Sequence, residues 1–127
     1  MKSIRIILLP LILIILLGCV SATGTYILTG EPRTAINSRD VQIYLDPPSR
    51  FELIGLVEAS CEVGSKRQKA QDMVIDELKK QAAKIGANGI ILITTGSSSS
   101  GGVFIFNVYV ANEIITVRGQ AVYINRN

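Results

Sequence analysis

The sequence contains no histidine and no tryptophan, and its only cysteines are Cys19 and Cys61. Without histidine, the chain cannot form a Ser-His or Cys-His pair or a His-Cys zinc site. Acid–base work near neutral pH would fall to a tuned carboxylate, lysine or thiol, and Cys61 has no evident base beside it. We therefore expect a non-enzymatic protein that needs no metal and no cofactor.

Clustered charge is also scarce. The acidic grouping of Glu58, Glu62, Asp72 and Asp76 is interpreted as solvated charge rather than a cation site. The densest basic group opens a predicted helix and is interpreted as a solvated helix end; its members are Lys66, Arg67 and Lys69. No basic face is left for nucleic acid, so we expect no nucleic-acid partner.

One stretch lacks apolar residues altogether: residues 95–102 read TGSSSSGG. It does not end in GK[ST] and does not open a helix, which excludes a phosphate-binding loop of the usual kind. We predict a flexible surface loop there. Whether the Gly/Ser segment 96–102 has a function is left open.

The apolar residues concentrate at the amino terminus, where residues 6–17 read IILLPLILIILL behind Lys2 and Arg5. At 1.5 Å per residue this run spans only about 18 Å of the roughly 30 Å hydrocarbon core. A basic start, a short apolar run and a small residue are typical of a secretory signal. The alternative is an uncleaved membrane anchor.

The residues that end this run resemble the bacterial lipobox; they are Leu16, Leu17, Gly18 and Cys19. The resemblance implies cleavage after residues 1–18 and attachment of acyl chains such as palmitate to Cys19. Several acyl chains hold a protein firmly on a membrane. Val20 is not an aspartate, which resembles the outer-membrane sorting pattern. We expect an envelope lipoprotein on the outer membrane, facing the periplasm.

Cleavage would remove Lys2 and Arg5 and leave eleven basic residues against ten acidic ones. Acylation of Cys19 would leave Cys61 as the only thiol, so an intramolecular disulfide is excluded. Cys61 is interpreted as a buried small hydrophobe or as a free thiol that pairs between chains.

Residues 19–39 are predicted to be the lipidated cysteine and a flexible tether, and residues 40–127 a single domain. Within the tether, Tyr26-Ile27-Leu28 is an alternative edge strand. Alternating or β-branched runs predict strands at 41–45, 51–60, 90–94, 103–110 and 114–124, with a hairpin turn at 111–113. Gly119 marks a bulge or close packing in the last strand.

The helix pattern is the clearest, with apolar residues at Ala70, Val74, Leu78 and Ala82. Ser65 and Gln68 form a capping box, Gly86 ends the helix in the left-handed region, and Asp76 pairs with Lys80.

These elements give a β-β-α-β-β-β order and an α+β two-layer sandwich, with about five mostly antiparallel strands and one helix on one face. One helix cannot cover both faces. The far face would carry Phe104, Tyr123 and either Phe106 or Tyr109, and would curl on itself or meet a partner.

Three segments resemble the small envelope domains of the RcsF-type stress-sensor lipoproteins and the YbjQ-like domains: VQIYLDPPSRFELIGLVEASC, ELKKQAAKIGANGIIL and VRGQAVYI. The resemblance implies a binding or sensing role in the envelope, and the YbjQ-like domains imply ring oligomers. The stress sensors are stapled by several cysteines, whereas only Cys61 lies in this region, so disulfide signalling is not carried over.

Two functions follow. The first is a lipid-anchored interaction or sensor module that meets another envelope protein. The alternative is a structural lipoprotein that assembles with copies of itself through the uncovered face or edge strands.

Overall fold

The computed structural model describes residues 22–64, 66–105 and 108–125, of which residues 99–105 and 108–112 are described by their backbone alone. In chain order the elements are strand β1 (Thr23–Leu28), a 3-10 turn (Ser38–Asp40), strands β2 (Gln42–Tyr44) and β3 (Glu52–Glu62), helix α1 (Arg67–Lys84), and strands β4 (Gly89–Ile105) and β5 (Val108–Tyr123).

The strands form one five-stranded sheet in the order β1-β3-β5-β4-β2. Neighbours are antiparallel except β2, which runs parallel to β4. Helix α1 packs on one face of this sheet, so the expected α+β two-layer sandwich is confirmed. The order along the chain differs from the expected one: three strands precede the helix and two follow it.

The core lies between the helix and the sheet. The predicted stripe of Ala70, Val74, Leu78 and Ala82 is buried, and Leu78 and Val74 have no exposed surface. It packs in one cluster with buried sheet residues, which include Ile54, Val57, Ala59, Cys61, Ile90, Val117 and Ala121. Burying each large aliphatic side chain contributes roughly 1.5–3 kcal/mol. This apolar contact fixes which face of the sheet is covered.

The carboxyl end of the helix is as predicted. Gly86 has φ +77°, and the amides of Gly86 and Ala87 donate to the carbonyls of Ala83 and Ala82 at 3.1 and 3.0 Å. This pair of hydrogen bonds is a Schellman cap, which satisfies carbonyls that the helix leaves free. Asn88 then bonds both the amide and the carbonyl of Ile124, which ties the re-entering chain to the end of the sheet.

The amino end of the helix differs from the prediction. Ser65 lies outside the described residues, and Lys66 is the N-cap without a side-chain bond to the helix. Gln68 is the second helical residue rather than the third that a capping box requires, and it donates to Asp72 at 3.0 Å. Among the ion pairs of the described residues, Asp76 with Lys80 does not occur.

The folded body starts earlier than Asp40. The edge-strand alternative for Tyr26-Ile27-Leu28 is confirmed, because β1 pairs with β3 from Thr23 to Leu28. The following residues are bonded to the body as well: Arg33 donates to Ile85 and Ile36 to Ala83, each at 3.0 Å. Within the expected tether of 19–39, the residues from Thr23 onward therefore belong to the folded body, whereas residues 19–21 lie outside the described residues. The amino-acid composition of this segment did not indicate that it is folded, because the hydrogen bonds that hold it to the body are made by backbone groups.

The Gly/Ser stretch is the second correction. Residues 95–102 lie inside β4 and pair with β5, for example Gly96 with Thr116 and Ser98 with Ile114. The expected turn at 111–113 is also wrong, because those residues lie inside β5 and the chain reverses between Ile105 and Val108. Glycine and serine favour loops locally, but the paired residues of β5 satisfy their backbone groups.

The close packing predicted at Gly119 is confirmed, whereas the bulge lies opposite it in β4 and not in the last strand. A Cβ at this position would lie 2.5 Å from Cγ2 of Ile90, so the strands approach too closely for a side chain. The register also shifts there, with Leu92 opposite Gly119 and Thr94 opposite Arg118. Ile93 is therefore the extra residue of a β-bulge.

Candidate functional site

The face of the sheet opposite the helix, here called the open face, is the candidate site. Side chains alternate between the two faces of a strand. In β3, Val57, Ala59 and Cys61 face the helix, so Leu56 and Glu58 face away from it. In β1, a Cβ at Gly24 would touch Gln81 and Glu77 of the helix. Ile27 lies three positions further along the strand, so its side chain belongs to the open face.

Three aliphatic side chains from three strands form an exposed patch on this face. Ile27 is 64% exposed, Ile93 54% and Leu56 38%. They line a shallow depression of about 220 Å³ together with Glu58 and Arg118. Exposed aliphatic residues that converge in this way mark interaction sites more often than isolated ones do.

An ion pair crosses the patch. Nε of Arg118 lies 2.7 Å from Oε2 of Glu58, between directly paired residues of β5 and β3. Both side chains are well exposed, so the pair contributes little to stability. The patch therefore combines aliphatic side chains with one charged group of each sign.

The bulge explains why sequence reasoning missed Ile93. A continuous apolar run such as 90–93 is typical of a strand buried on both faces, and Ile90 and Ile91 are buried. The extra residue in β4 breaks the alternation and leaves Ile93 exposed. Gly119 was the available signal, because it marked the bulge, although not the side chain that the bulge presents.

Of the other side chains expected on the far face, that of Tyr123 lies in the described part of the chain. Phe106 lies outside the described residues, as do the side chains of Phe104 and Tyr109. Tyr123 packs against the core cluster, and the guanidinium of Arg33 lies 3.7 Å from its ring centroid. Arg33 also forms an ion pair with Glu52 at 2.6 Å, so the groove beside them is lined by side chains that join the segment after β1 to the sheet.

Cys61 lies at the amino end of the helix, where a groove of about 220 Å³ passes Glu62, Lys69 and Met73. The thiol is buried, carries no disulfide, and donates to the carbonyl of Glu62 at 3.3 Å. Burial, and then the charge of Glu62, raise the pKa of the Cys61 thiol. The interpretation as a buried small hydrophobe is thus confirmed.

We expect iodoacetamide to alkylate Cys61 at least about tenfold more slowly in the folded protein than in denaturant at pH 8, because only the thiolate reacts. The raised pKa also means that the unfolded chain releases the thiol proton first as pH rises. Stability should therefore fall above the ordinary thiol pKa, and Cys61→Ala should lack this fall. Mass spectrometry and denaturation at several pH values test both. Equal alkylation rates would show that the thiol is accessible.

Acidic groups do not converge on a cation site in the described part of the chain. Glu58 is paired with Arg118, and no group of three potential metal ligands occurs among residues 22–64, 66–105 and 108–125. Among the same residues, no helix has both the length and the apolar character of a membrane-spanning segment.

Comparison with known proteins yields one likeness. The fold is similar to the crystal structure of a Francisella virulence factor, FvfA, with a TM-score of 0.55 and 22% sequence identity, over 81% of this chain and 98% of that chain. At this identity the likeness shows the fold alone. No family model and no curated sequence match the chain. The resemblance to the RcsF-type and YbjQ-like domains stays a prediction.

The lipid-attachment site also stays a prediction, because it lies outside the described residues. It comprises Leu16, Leu17, Gly18 and Cys19. The described chain begins at Ala22, and β1 starts at Thr23. Cys19 is thus four positions before the sheet, so acylation at this residue would hold the folded body close to a membrane.

Proposed function

We propose that this protein is a non-enzymatic envelope lipoprotein, anchored through Cys19, whose open face binds another protein of the envelope. The exposed patch of Ile27, Leu56 and Ile93 carries the proposal. It lies on a rigid sheet whose other face is sealed by the helix, so the patch is formed before any partner arrives. A preformed surface loses little conformational entropy on binding.

The chemistry of the patch describes the partner. The aliphatic side chains favour a partner with an apolar protrusion, and the Glu58–Arg118 pair favours polar groups that match its charges. The depression of about 220 Å³ is smaller than typical ligand pockets of roughly 300–1,000 Å³. This supports a protein side chain rather than a small molecule as the occupant.

The alternative is self-assembly through the edge of the sheet, and β1 favours it. This edge strand has six residues, TGTYIL, without a charge or a proline to discourage pairing with another strand. Light scattering of the purified chain discriminates the two functions. A monomer supports the binding module, and a monodisperse oligomer supports self-assembly.

We expect the double substitution of Ile27→Lys and Ile93→Lys to abolish most capture of the partner by a photo-crosslinker placed at Leu56. Losing two aliphatic contacts of about 1–2 kcal/mol each should lower capture by at least about tenfold. Tyr26→Lys is the matched control, because Tyr26 is the adjacent, partly exposed residue whose side chain alternates to the helix side.

Crosslinking in intact envelopes followed by mass spectrometry gives the measurement, and melting temperatures verify that all variants fold. Capture that falls equally with Tyr26→Lys would contradict a role for the open face. A crosslink to the protein's own chain would support self-assembly instead.

A further inference from the structure

The hairpin of β4 and β5 extends beyond the rest of the sheet. Pairing between β3 and β5 ends at Glu62 with Ile114, yet β5 continues back to Val108 opposite Ile105. At about 3.4 Å per residue, the first six residues of β5, 108–113, extend roughly 20 Å past the end of β3. In the described part of the chain no third strand accompanies this extension.

The end of this hairpin is apolar in sequence. Its last three register pairs are Val103 with Val110, Phe104 with Tyr109, and Ile105 with Val108. Successive residues of a strand alternate between its faces, so a ribbon in water normally has one polar set. Here neither alternate set is polar. A two-stranded ribbon with such residues is marginal in water and needs an apolar environment.

The membrane anchor lies at the same end of the sheet. Thr23 pairs with Ser60, Ser60 with Thr116, and Thr116 with Gly96, so the start of β1 lies in one row with the base of the extension. Cys19 lies four positions before Thr23, and that length of chain reaches at most about 14 Å. From Thr116 to Val108 the hairpin extends about 27 Å. An anchor at Cys19 therefore brings the hairpin end to the bilayer.

The helix begins at this end as well. Arg67 pairs with Glu113, and the neighbouring Lys66 and Lys69 are exposed beside Glu62. Each lysine held near an anionic membrane surface contributes about 1 kcal/mol. Two lysines and one carboxylate leave a net positive charge, which is weakly attracted to an anionic membrane surface.

We propose that the end of the β4–β5 hairpin, residues 103–105 and 108–110, inserts into the phospholipid bilayer that holds the acyl chains of Cys19. This second contact rests on the proposed anchor and fixes the orientation of the domain on the membrane. Phenylalanine and tyrosine favour the boundary between headgroups and acyl chains. The outer backbone groups of the ribbon are unpaired, and each would cost several kcal/mol in hydrocarbon. Insertion is therefore shallow.

The test uses the acylated protein, purified from membranes and reconstituted in vesicles of phosphatidylcholine and phosphatidylglycerol. In a Cys61→Ala background, Phe104→Cys carries a polarity-sensitive fluorophore. Phe51→Cys is the matched control, an exposed phenylalanine that adjoins the opposite end of β3. Tyr109→Cys, the register partner of Phe104, repeats the experiment should the first variant fold poorly.

We expect the Phe104 label to emit at shorter wavelength and to lose at least about half its intensity to a quencher on the upper acyl chain, as for groups buried 5–10 Å in the interface. The Phe51 label should instead be quenched by iodide in the water. A Phe104 label that behaves like the Phe51 label overturns the proposal. So does protection from both quenchers, which means burial against protein.

The mass of the same sample separates this proposal from the anchor. An acylated chain whose Phe104 label is in water refutes hairpin insertion and leaves the anchor standing. An unacylated chain refutes the anchor, and the label on added vesicles then reports on the hairpin by itself.

Discussion

Cys19→Ser releases the protein from envelope membranes on alkaline washing, whereas the unchanged chain stays bound. Each methylene of an acyl chain in the bilayer contributes about 0.8 kcal/mol, so several chains hold a protein almost irreversibly. The hairpin and two lysines together contribute far less, and an apolar run of about 18 Å is too short to span the membrane. We expect at least about a tenfold shift to the soluble fraction, because a single weak membrane signal holds a protein only reversibly.

Cys61→Ala is the matched control, since it removes the other cysteine without touching the anchor. It should stay on the membrane. Fractionation followed by immunoblotting measures both variants, and their melting temperatures show whether the domain is intact. A Cys19→Ser chain that resists the alkaline wash would favour the uncleaved anchor over the lipoprotein.

Gly86→Ala lowers the free energy of unfolding by about 2–4 kcal/mol, because it combines backbone strain with a steric clash. At φ +77° an alanine is strained by about 1–2 kcal/mol. The added Cβ would also lie 2.6 Å from the backbone of Arg33. The backbone of Arg33 cannot move away without loss of the hydrogen bond from its amide to the carbonyl of Ile85.

Gly64→Ala is the control for this substitution, since a Cβ at Gly64 would have no atom within 4 Å. It should change stability by no more than about 0.5 kcal/mol. Denaturation in guanidinium chloride measures both. Equal stabilities for the two variants would contradict the role given to the Schellman cap and to the segment docked on it.

The helix and its exit were predictable from sequence because their signals are local. A stripe at spacing four identifies the buried face of α1, and Gly86 has a conformation that few other residues adopt. Gly119 was predictable for the same reason, since a strand interior rarely contains a glycine without a close approach. The α+β class followed from these elements, because one amphipathic helix needs a sheet to cover it.

The strand pairing was not predictable, since it depends on residues far apart in sequence. Residues 95–102 have the composition of a loop, and only the opposing part of β5 makes them a strand. The same holds for β1, whose residues look like a tether until β3 pairs with them. Local propensity is a weak guide wherever backbone partners come from elsewhere.

The open-face patch shares this difficulty. Ile27 and Leu56 are adjacent only because β1 and β3 pair in one register, and a shift by one residue would turn Ile27 towards the helix. Sequence reasoning predicted that one face would be uncovered, which the single helix makes necessary. It did not predict which side chains that face exposes.

The anchor, the hairpin and the open face together describe one arrangement. In the proposed arrangement, the anchor and the hairpin end hold one end of the sheet at the bilayer. The sheet would then extend away from the membrane and present the open face sideways to other proteins. The proposed partner surface and the proposed membrane contacts use separate residues, so substitutions can test them separately.

The measurement that tests the account most directly is the intact mass of the protein extracted from envelope membranes. We expect a chain that begins at Cys19, with residues 1–18 removed and the mass of the acyl chains added at its amino terminus. A full-length chain with no added acyl mass would contradict the anchor, and with it the orientation that places the open face in the envelope.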